Sequence, residues 1–372
     1  MRETSHEQNR LKTATSDLQD ICLRAAAFIE AEPEKRDQHF DALAFDLFAF
    51  QYEMNPAYQA FCRYQGKTPF TVRRLQELPA IVTSAFKEAD LTVLRPEQRT
   101  TVFHSSGTTE HRPSRQFHST DTLQVYERSL LAGFKPHVLP DRKQAAFLIL
   151  SPRPEKVPHS SLAHMFGALQ REFGRDYTRY VGQVSSDGSW LLDFSKLEEA
   201  CFELSQCAES VVICGTAFSF VHWCDWLGSK RIRFPAGSRV FETGGYKGRS
   251  RAVPKDELHQ LIEQAFSIPK THIISEYGMS ELSSQAYDRV AGVAAEPVFR
   301  FAPWARAMIV SPETGAEVED GEPGLVKVYD LANVGSVVAV QTQDLATKRE
   351  DGFVLIGRAA LAEARGCSLL HR

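Results

Sequence analysis

Four short segments of this chain hold the residue types that phosphate, nucleoside and metal chemistry require. Ser105-Ser106-Gly107-Thr108-Thr109 sets four hydroxyls around one glycine. Such a loop can offer O–H donors and exposed backbone N–H groups to phosphate oxygens, and the glycine permits close approach. It follows the apolar pair Val102-Phe103 and is expected to precede a helix; alone it reads equally as a Ser/Thr-rich surface turn. Tyr277-Gly278-Met279-Ser280-Glu281 follows the strand-like Ile273 to Ser275, and the C-terminal ends of parallel strands are where α/β folds bind ligands. A tyrosine ring can stack on a base, a serine hydroxyl can reach a phosphate, and a glutamate can hold Mg²⁺. The bland alternative is a strand-to-loop turn with a solvated glutamate. Gly244-Gly245-Tyr246 would let an adenine lie against the backbone, although most glycine pairs are turns. Asp344, in Thr342-Gln343-Asp344-Leu345, can accept both ribose hydroxyls, and Arg358 can return to the same sugar after a short hairpin. A charged hairpin explains the last pair as well.

The elements that must position these segments are legible as patterns. Residues 16 to 64 read as helical, with Leu18, Ile21, Cys22, Ala25, Phe28 and Ile29 on one face and Phe40, Leu43, Ala44, Leu47, Phe48 and Tyr52 on another. Residues 65 to 100 are punctuated by Pro69, Pro79 and Pro96 and read as connection. Beyond them, strand-like runs (Ala145 to Leu150, Val211 to Cys214, Val240 to Glu242, Ile273 to Ser275) alternate with helical ones (Thr120 to Gly133, Lys196 to Glu209, Pro254 to Phe266). That alternation predicts an α/β core with a mostly parallel sheet. After residue 300 the runs Ala307 to Val310, Leu325 to Tyr329, Val337 to Gln341 and Phe353 to Ile356 predict a small C-terminal β-subdomain. The expected division is 1–100 as an N-terminal helical region packed on the core, 101–300 as the α/β ATP- and acyl-binding core, 301–358 as the β-subdomain and 359–372 as a mobile tail.

Composition narrows the function classes. The 372 residues are 43% hydrophobic with a net charge of −4, so no basic field exists for nucleic acid. The N-terminal residues carry no signal-peptide pattern, and the longest apolar stretch, Val211 to Cys224, is too short for a membrane span, so a cytoplasmic protein is expected. Seven cysteines without a C-x-x-C pair argue against a disulfide framework and against structural zinc. Six of them lie in apolar pattern; Cys367 alone has a small polar setting near the C-terminus, where a passive thiol is the simplest reading. His104, His111 and His118 lack metal-ligand spacing.

In order and spacing, the four segments together resemble the adenylate-forming superfamily of acyl-CoA synthetases, peptide-synthetase adenylation domains and luciferases, over roughly residues 100 to 358. The motifs FHSSGTT, ETGGYKGR, EYGMSEL, DLAN (Asp330 to Asn333), TQDL and GR-x7-GCSL narrow the resemblance to the acyl-protein synthetase (LuxE-type) family. It implies that Ser105, Ser106, Gly107, Thr108 and Thr109 grip phosphates. It also implies that Gly244, Gly245, Tyr246, Tyr277, Gly278, Met279 and Ser280 meet adenine and α-phosphate, that Glu281 meets Mg²⁺, and that Asp344 and Arg358 meet ribose. A fatty or other carboxylic acid would be activated with ATP as acyl-AMP and moved to Cys367, from which a partner acyl reductase takes it. Arg365 and His371 are near enough in sequence to lower the thiol's pKa from its usual value of about 8.5.

Two departures bear on the mechanism. The superfamily loop usually continues Gly-x-Pro-Lys; here Glu110-His111-Arg112-Pro113-Ser114-Arg115 stands instead, leaving Arg112 or Arg115 as the basic group. The superfamily's large C-terminal lid domain, with its catalytic lysine, is expected to be absent, so Lys247 or Arg115 must stabilise the transition state. Gly215 to Phe220 and His164-Met165-Phe166 are candidates for an acyl pocket, or equally for core. An acyl- or aryl-CoA ligase, an aryl-acid adenylating enzyme and a non-catalytic nucleotide-binding subunit are the alternative readings.

Overall fold

The computed structural model describes residues 17–105, 112–206, 209–244 and 253–358. In chain order these begin with helices α1 (Leu18–Glu30), α2 (Pro33–Met54) and α3 (Pro56–Tyr64). Strands β1 (Ile81–Val82), β2 (Thr101–His104) and β3 (Arg115–His118) and helix α4 (Thr120–Val138) follow. The middle of the chain holds β4 (Ala146–Ile149), α5 (Ser161–Phe173), β5 (Arg179–Tyr180), β6 (Gly182–Val184), β7 (Trp190–Leu192), α6 (Phe194–Ser205), β8 (Val211–Thr216) and α7 (Ala217–Leu227). Then come β9 (Arg239–Thr243), α8 (Lys255–Phe266), β10 (Ile273–Tyr277) and β11 (Ala286–Tyr287). The chain ends in β12 (Arg300–Phe301), β13 (Ala305–Val310), β14 (Pro323–Asp330), β15 (Ala339–Arg349) and β16 (Gly352–Arg358). Two compact units result. One comprises residues up to Ser129, Met279–Ser284 and those from Arg300 onward; the other comprises Leu130–Gly278 and Gln285–Phe299.

The first unit begins with three helices where periodicity alone predicts a continuous helical region. Prolines make the breaks. Pro33 and Pro56 each occupy the first turn of a helix. There the missing N–H costs nothing, and the residue before proline is pushed out of helical geometry. Asn55 serves both helices at the second break. Its backbone N–H donates to Gln51 O at 2.9 Å, closing α2, and its side chain accepts from Tyr58 N at 3.1 Å, capping α3. The expected apolar stripe is buried: Phe40, Leu43, Ala44, Leu47 and Phe48 all lie inside.

The segment expected to be pure connection also contains structure. Ile81 and Val82 form β1, which pairs in parallel with Val340 and Gln341 of β15. Strand β15 is long enough to pair twice. Its start meets β1, and its end, Asp344 to Arg349, meets β16. Strands β14 and β13 continue the sheet antiparallel.

A second expectation is corrected here. The hydroxyl-rich segment does not run from a strand into a helix. It joins β2 to β3, an antiparallel hairpin with His104 opposite Arg115 and Thr101 opposite His118. Strand β3 reads Arg-Gln-Phe-His, short and polar, so it carries no apolar-run signal. Its inward residues, Gln116 and His118, are buried polar groups.

The second unit has a sheet in the order β11–β10–β9–β8–β4–β5. Strands β5, β4, β8, β9 and β10 are parallel, and β11 is antiparallel. Every residue of β4 and β9 is buried, as expected of parallel strands covered on both faces. On one face Trp223, Phe234 and Phe266 pack together, Trp223 and Phe266 with ring centroids 4.1 Å apart. Elsewhere in this unit Phe134 stacks on Phe173 and meets Phe241 edge-on at 5.1 Å. Phe166 and Phe220, candidates for an acyl pocket, belong to this buried apolar set. Among the described residues no helix is long and apolar enough to cross a membrane.

Replacing Asn55 with alanine removes a buried helix cap and the bond from its amide to Ser336 O. Asn55→Ala is expected to lower stability by roughly 2 kcal/mol, read as a lower urea midpoint.

Candidate functional site

In the first unit the hairpin brings two of the sequence segments together. Ser105 N–H donates to Ser114 O at 3.2 Å, and Ser114 N–H donates to Ser105 Oγ at 3.0 Å. The two ends of the hydroxyl-rich segment are thereby closed on each other. The Ser114 hydroxyl then donates to Glu281 Oε1 at 2.6 Å, across 167 positions of sequence. Ser280 Oγ donates to His104 O at 3.3 Å. Glu281 is 7% exposed. A carboxylate so deeply placed is costly without donors, and an O–H···O⁻ bond of this length is a strong one. Ser114 was not singled out as a site residue from the sequence. Its signal was its place in the stretch that replaces the usual Gly-x-Pro-Lys.

The bend that holds Glu281 is itself pinned. Asp330, fully buried, accepts from Ser283 N at 2.8 Å, Ser284 Oγ at 2.6 Å and Ala332 N at 3.0 Å. Burial pushes its carboxyl pKa up, and these donors pull against that shift.

Arg115 is engaged with Asp90. Its Nη2 lies 2.8 Å from Asp90 Oδ1, while Arg99 Nη1 donates to Asp90 Oδ2 at 2.8 Å. Asp90 thus offsets two arginines, a partner the motifs do not reveal. Arg112 is exposed. His118 belongs to an aromatic cluster, with Phe103 at 5.2 Å and Tyr126 at 5.7 Å between ring centroids. Asp344 and Arg358 are direct cross-strand partners in β15 and β16. The Asp344 N–H donates to Thr342 Oγ1 at 3.1 Å, and that hydroxyl donates to Val326 O at 2.8 Å, so the Thr-x-Asp segment is anchored to β14.

In the second unit the strand ends hold acids. Glu242 and Thr243 end β9, and Glu276 and Tyr277 end β10, with Thr243 opposite Glu276. The Thr243 hydroxyl donates to Glu276 Oε2. Burial raises Glu276 to about 7, and the nearby Glu242 adds to the rise. His259 Nε2 is 3.8 Å from Glu242 Oε2. The Tyr277 ring is buried, with Phe299 at 6.0 Å between centroids. A Cβ at Gly278 would meet Glu276 Oε1, so any larger residue there would displace that carboxyl group. Gly244 has φ of +71°, a left-handed turn at the end of β9 that favours glycine. A cavity of about 240 Å³ in this unit, lined by Arg153, Arg171, Arg175 and Tyr180 among others, includes none of the motif residues.

Ser106, Gly107, Thr108, Thr109, Gly245, Tyr246, Lys247 and Cys367 lie outside the described residues. Magnesium keeps several waters and binds through one or two carboxylates together with substrate phosphates. A single buried carboxylate at the foot of a hydroxyl-rich segment fits that donor set. Among the described residues no cluster of three or more His, Cys, Asp or Glu side chains could cage a metal unaided.

Comparison with known proteins gives the site its context. The model of the family described as "Acyl-protein synthetase, LuxE" matches residues 4–371. The chain belongs to that family. Relatives include two long-chain-fatty-acid–luciferin-component ligases. That of Aliivibrio fischeri is 22% identical over 353 residues, covering 93% of this chain and 88% of that protein. That of Vibrio harveyi is 20% identical, covering 90% and 88%. Among solved structures, a 2-hydroxyisobutyryl-CoA ligase in the postadenylation state with 2-HIB-AMP superposes with a TM-score of 0.62 at 12% identity, over 88% of this chain and 68% of that one. An open conformation of the same ligase gives 0.59 at 11% identity, over 85% and 70%. The LuxE-family chain thus has the adenylate-forming fold expected from its motifs, and by family it is an acid ligase.

Glu276 yields a test by pH. Its folded pKa of about 7 lies above the ordinary carboxyl value of 4.5. Between those values the unfolded chain has released a proton that the folded chain keeps, so this group makes stability fall as pH rises from 4.5 through 7. Glu276→Gln removes that slope. The variant is expected to gain on the wild type by roughly 3 kcal/mol between about pH 4 and about pH 8, measured by urea unfolding at each pH.

Proposed function

We propose that this chain activates a carboxylic acid, foremost a fatty acid, with ATP and passes the acyl group to its own Cys367 as a thioester for a partner acyl reductase. A carboxylate is a poor electrophile. Attack of its oxygen on the α-phosphorus of ATP forms acyl-AMP and releases pyrophosphate. Attack of the Cys367 thiolate on the acyl carbon then forms the thioester and releases AMP.

The observation that carries the reading is the Ser114–Glu281 hydrogen bond. It joins the hydroxyl-rich segment to the acidic end of the Tyr-Gly-x-Ser-Glu segment, inside a chain matched by the LuxE family over almost its whole length. Ser105, Ser106, Thr108 and Thr109 are the proposed phosphate donors. Tyr277 and the Gly244-Gly245-Tyr246 segment are assigned to the adenine side, and Asp344 with Arg358 to the ribose. Glu281 is the proposed Mg²⁺ ligand; the ion would neutralise phosphate charge. Lys247 and Arg115 are the candidate cations for the charge that builds at phosphorus, Arg115 with its charge partly offset by Asp90. The names of the Aliivibrio and Vibrio relatives support a long-chain fatty acid as the substrate.

The test is the intact mass of the protein after incubation with Mg-ATP and a pool of fatty and aromatic acids, beside Cys367→Ser. A hydroxylamine-labile acyl adduct on the wild type alone is expected. An adduct on both proteins would move the acceptor to another residue, and a product that forms only with added CoA would make the acceptor a soluble thiol. In ATP–pyrophosphate exchange, Glu281→Gln is expected to lose roughly a hundredfold or more. No exchange by the wild type with any acid would leave a nucleotide-binding subunit.

A further inference from the structure

Asn333 is 1% exposed, and nothing in the chemistry above uses it. Its side-chain amide is saturated. Nδ2 donates to Glu281 O at 3.0 Å and to Val337 O at 2.9 Å. Oδ1 accepts from Gln116 Nε2 at 2.8 Å and from Ser283 Oγ at 3.3 Å. Two N–H donors and two acceptor sites are the full capacity of an asparagine side chain. The two carbonyls fix which end is nitrogen, because a flipped amide would set its oxygen against both.

These bonds close a ring. Ser114 and Gln116 are two apart along β3 and its lead-in, and so point the same way. Ser114 holds the carboxylate of Glu281; Gln116 holds Asn333; Asn333 holds the carbonyl of Glu281. Residue 281 is therefore gripped at both its side chain and its main chain. A second layer holds Asn333. Gln51 of α2, fully buried, donates from Nε2 to Asn333 O at 2.9 Å and to Val334 O at 3.2 Å. Its Oε1 accepts from Val338 N at 2.7 Å.

We propose that Asn333 is a positioning residue that fixes Glu281 for its metal–phosphate contact, and that Gln51 of α2 holds Asn333 in place. The proposal rests on the reading of Glu281 given above. A glutamate on a bend can swing by rotation of its main chain even when its carboxylate keeps one bond, and the Asn333 amide removes that freedom. The cost of losing it should appear in cation affinity, since groups that orient metal ligands typically change that affinity by 10- to 100-fold.

The experiment measures Mn²⁺ binding by electron paramagnetic resonance of the free ion, with the full chain and a nonhydrolysable α,β-methylene ATP analogue. Wild type, Glu281→Gln, Asn333→Ala and Ser336→Ala are compared, each with its melting temperature. Ser336 is the structural control. It is buried in the same segment and bonds Leu91 O at 2.6 Å. The expected result is a Kd raised roughly tenfold or more in Asn333→Ala, larger still in Glu281→Gln, and unchanged in Ser336→Ala despite a lower melting temperature. An unchanged Kd in Asn333→Ala beside a raised one in Glu281→Gln overturns the positioning role and spares the site. An unchanged Kd in Glu281→Gln overturns both. Should Asn333→Ala fail to fold, Gln116→Ala opens the same ring at another member. A raised Kd there supports the role, and an unchanged one overturns it.

Discussion

A carboxylate cannot be buried without donors, and Glu281 sets that constraint for the first unit. The Ser114 hydroxyl that donates to it has to be delivered by a hairpin. The hairpin has to be anchored at Gln116, and Gln116 needs the amide of Asn333. Each link answers the polar demand of the previous one. Gln51 and Asn55 extend the chain of demands into the helices, one turn apart on α2 and its cap. The helices therefore do more than cover apolar surface, since two polar side chains in their buried stripe hold the segment from 333 to 338.

The second unit answers a different demand. Its strands are apolar almost throughout, and the parallel sheet is stabilised by burial rather than by polar rings. Acids appear only where the strands end, at Glu242 and Glu276. There Glu276 meets its desolvation cost by keeping its proton near neutral pH, with the Thr243 hydroxyl against it. Both acids take a hydroxyl donor, Ser114 on Glu281 and Thr243 on Glu276, and Glu276 keeps its proton to about pH 7 as well.

What the sequence reveals follows the range of the forces involved. Val211 to Cys214 and Ile273 to Ser275 announce themselves as strands because parallel strands read as unbroken apolar runs. The helical stripe from Phe40 to Phe48 is equally visible, and the breaks at Pro33 and Pro56 are visible to a reader who gives proline its due. Strand β3 is not, because four residues of mixed polarity look like a loop until a partner strand and a set of buried polar groups define them. The motif segments are legible by resemblance, which also carries Asp330 and Asn333 as letters without a role. Their role depends on contacts between residues 52 and 217 positions apart, and no local pattern records such contacts. Asp90 is hidden for the same reason. Gln51 left one local trace: a polar residue standing where the apolar stripe of α2 should continue.

The closure of Ser105 on Ser114 separates the geometry of Glu281 from the length of chain that joins those two serines. Entropy of ring closure grows only with the logarithm of the number of residues enclosed, so doubling that stretch would add just about 0.6 kcal/mol. The four positions that follow the proposed phosphate donors, Glu110 to Pro113, can therefore drift in sequence and in number while the clasp, which touches the carboxylate, stays as it is. Substitution of the superfamily's usual Gly-x-Pro-Lys is the kind of divergence such a clasp permits. Within this family, insertions and deletions should collect between Thr109 and Ser114 rather than among the hydroxyls before them.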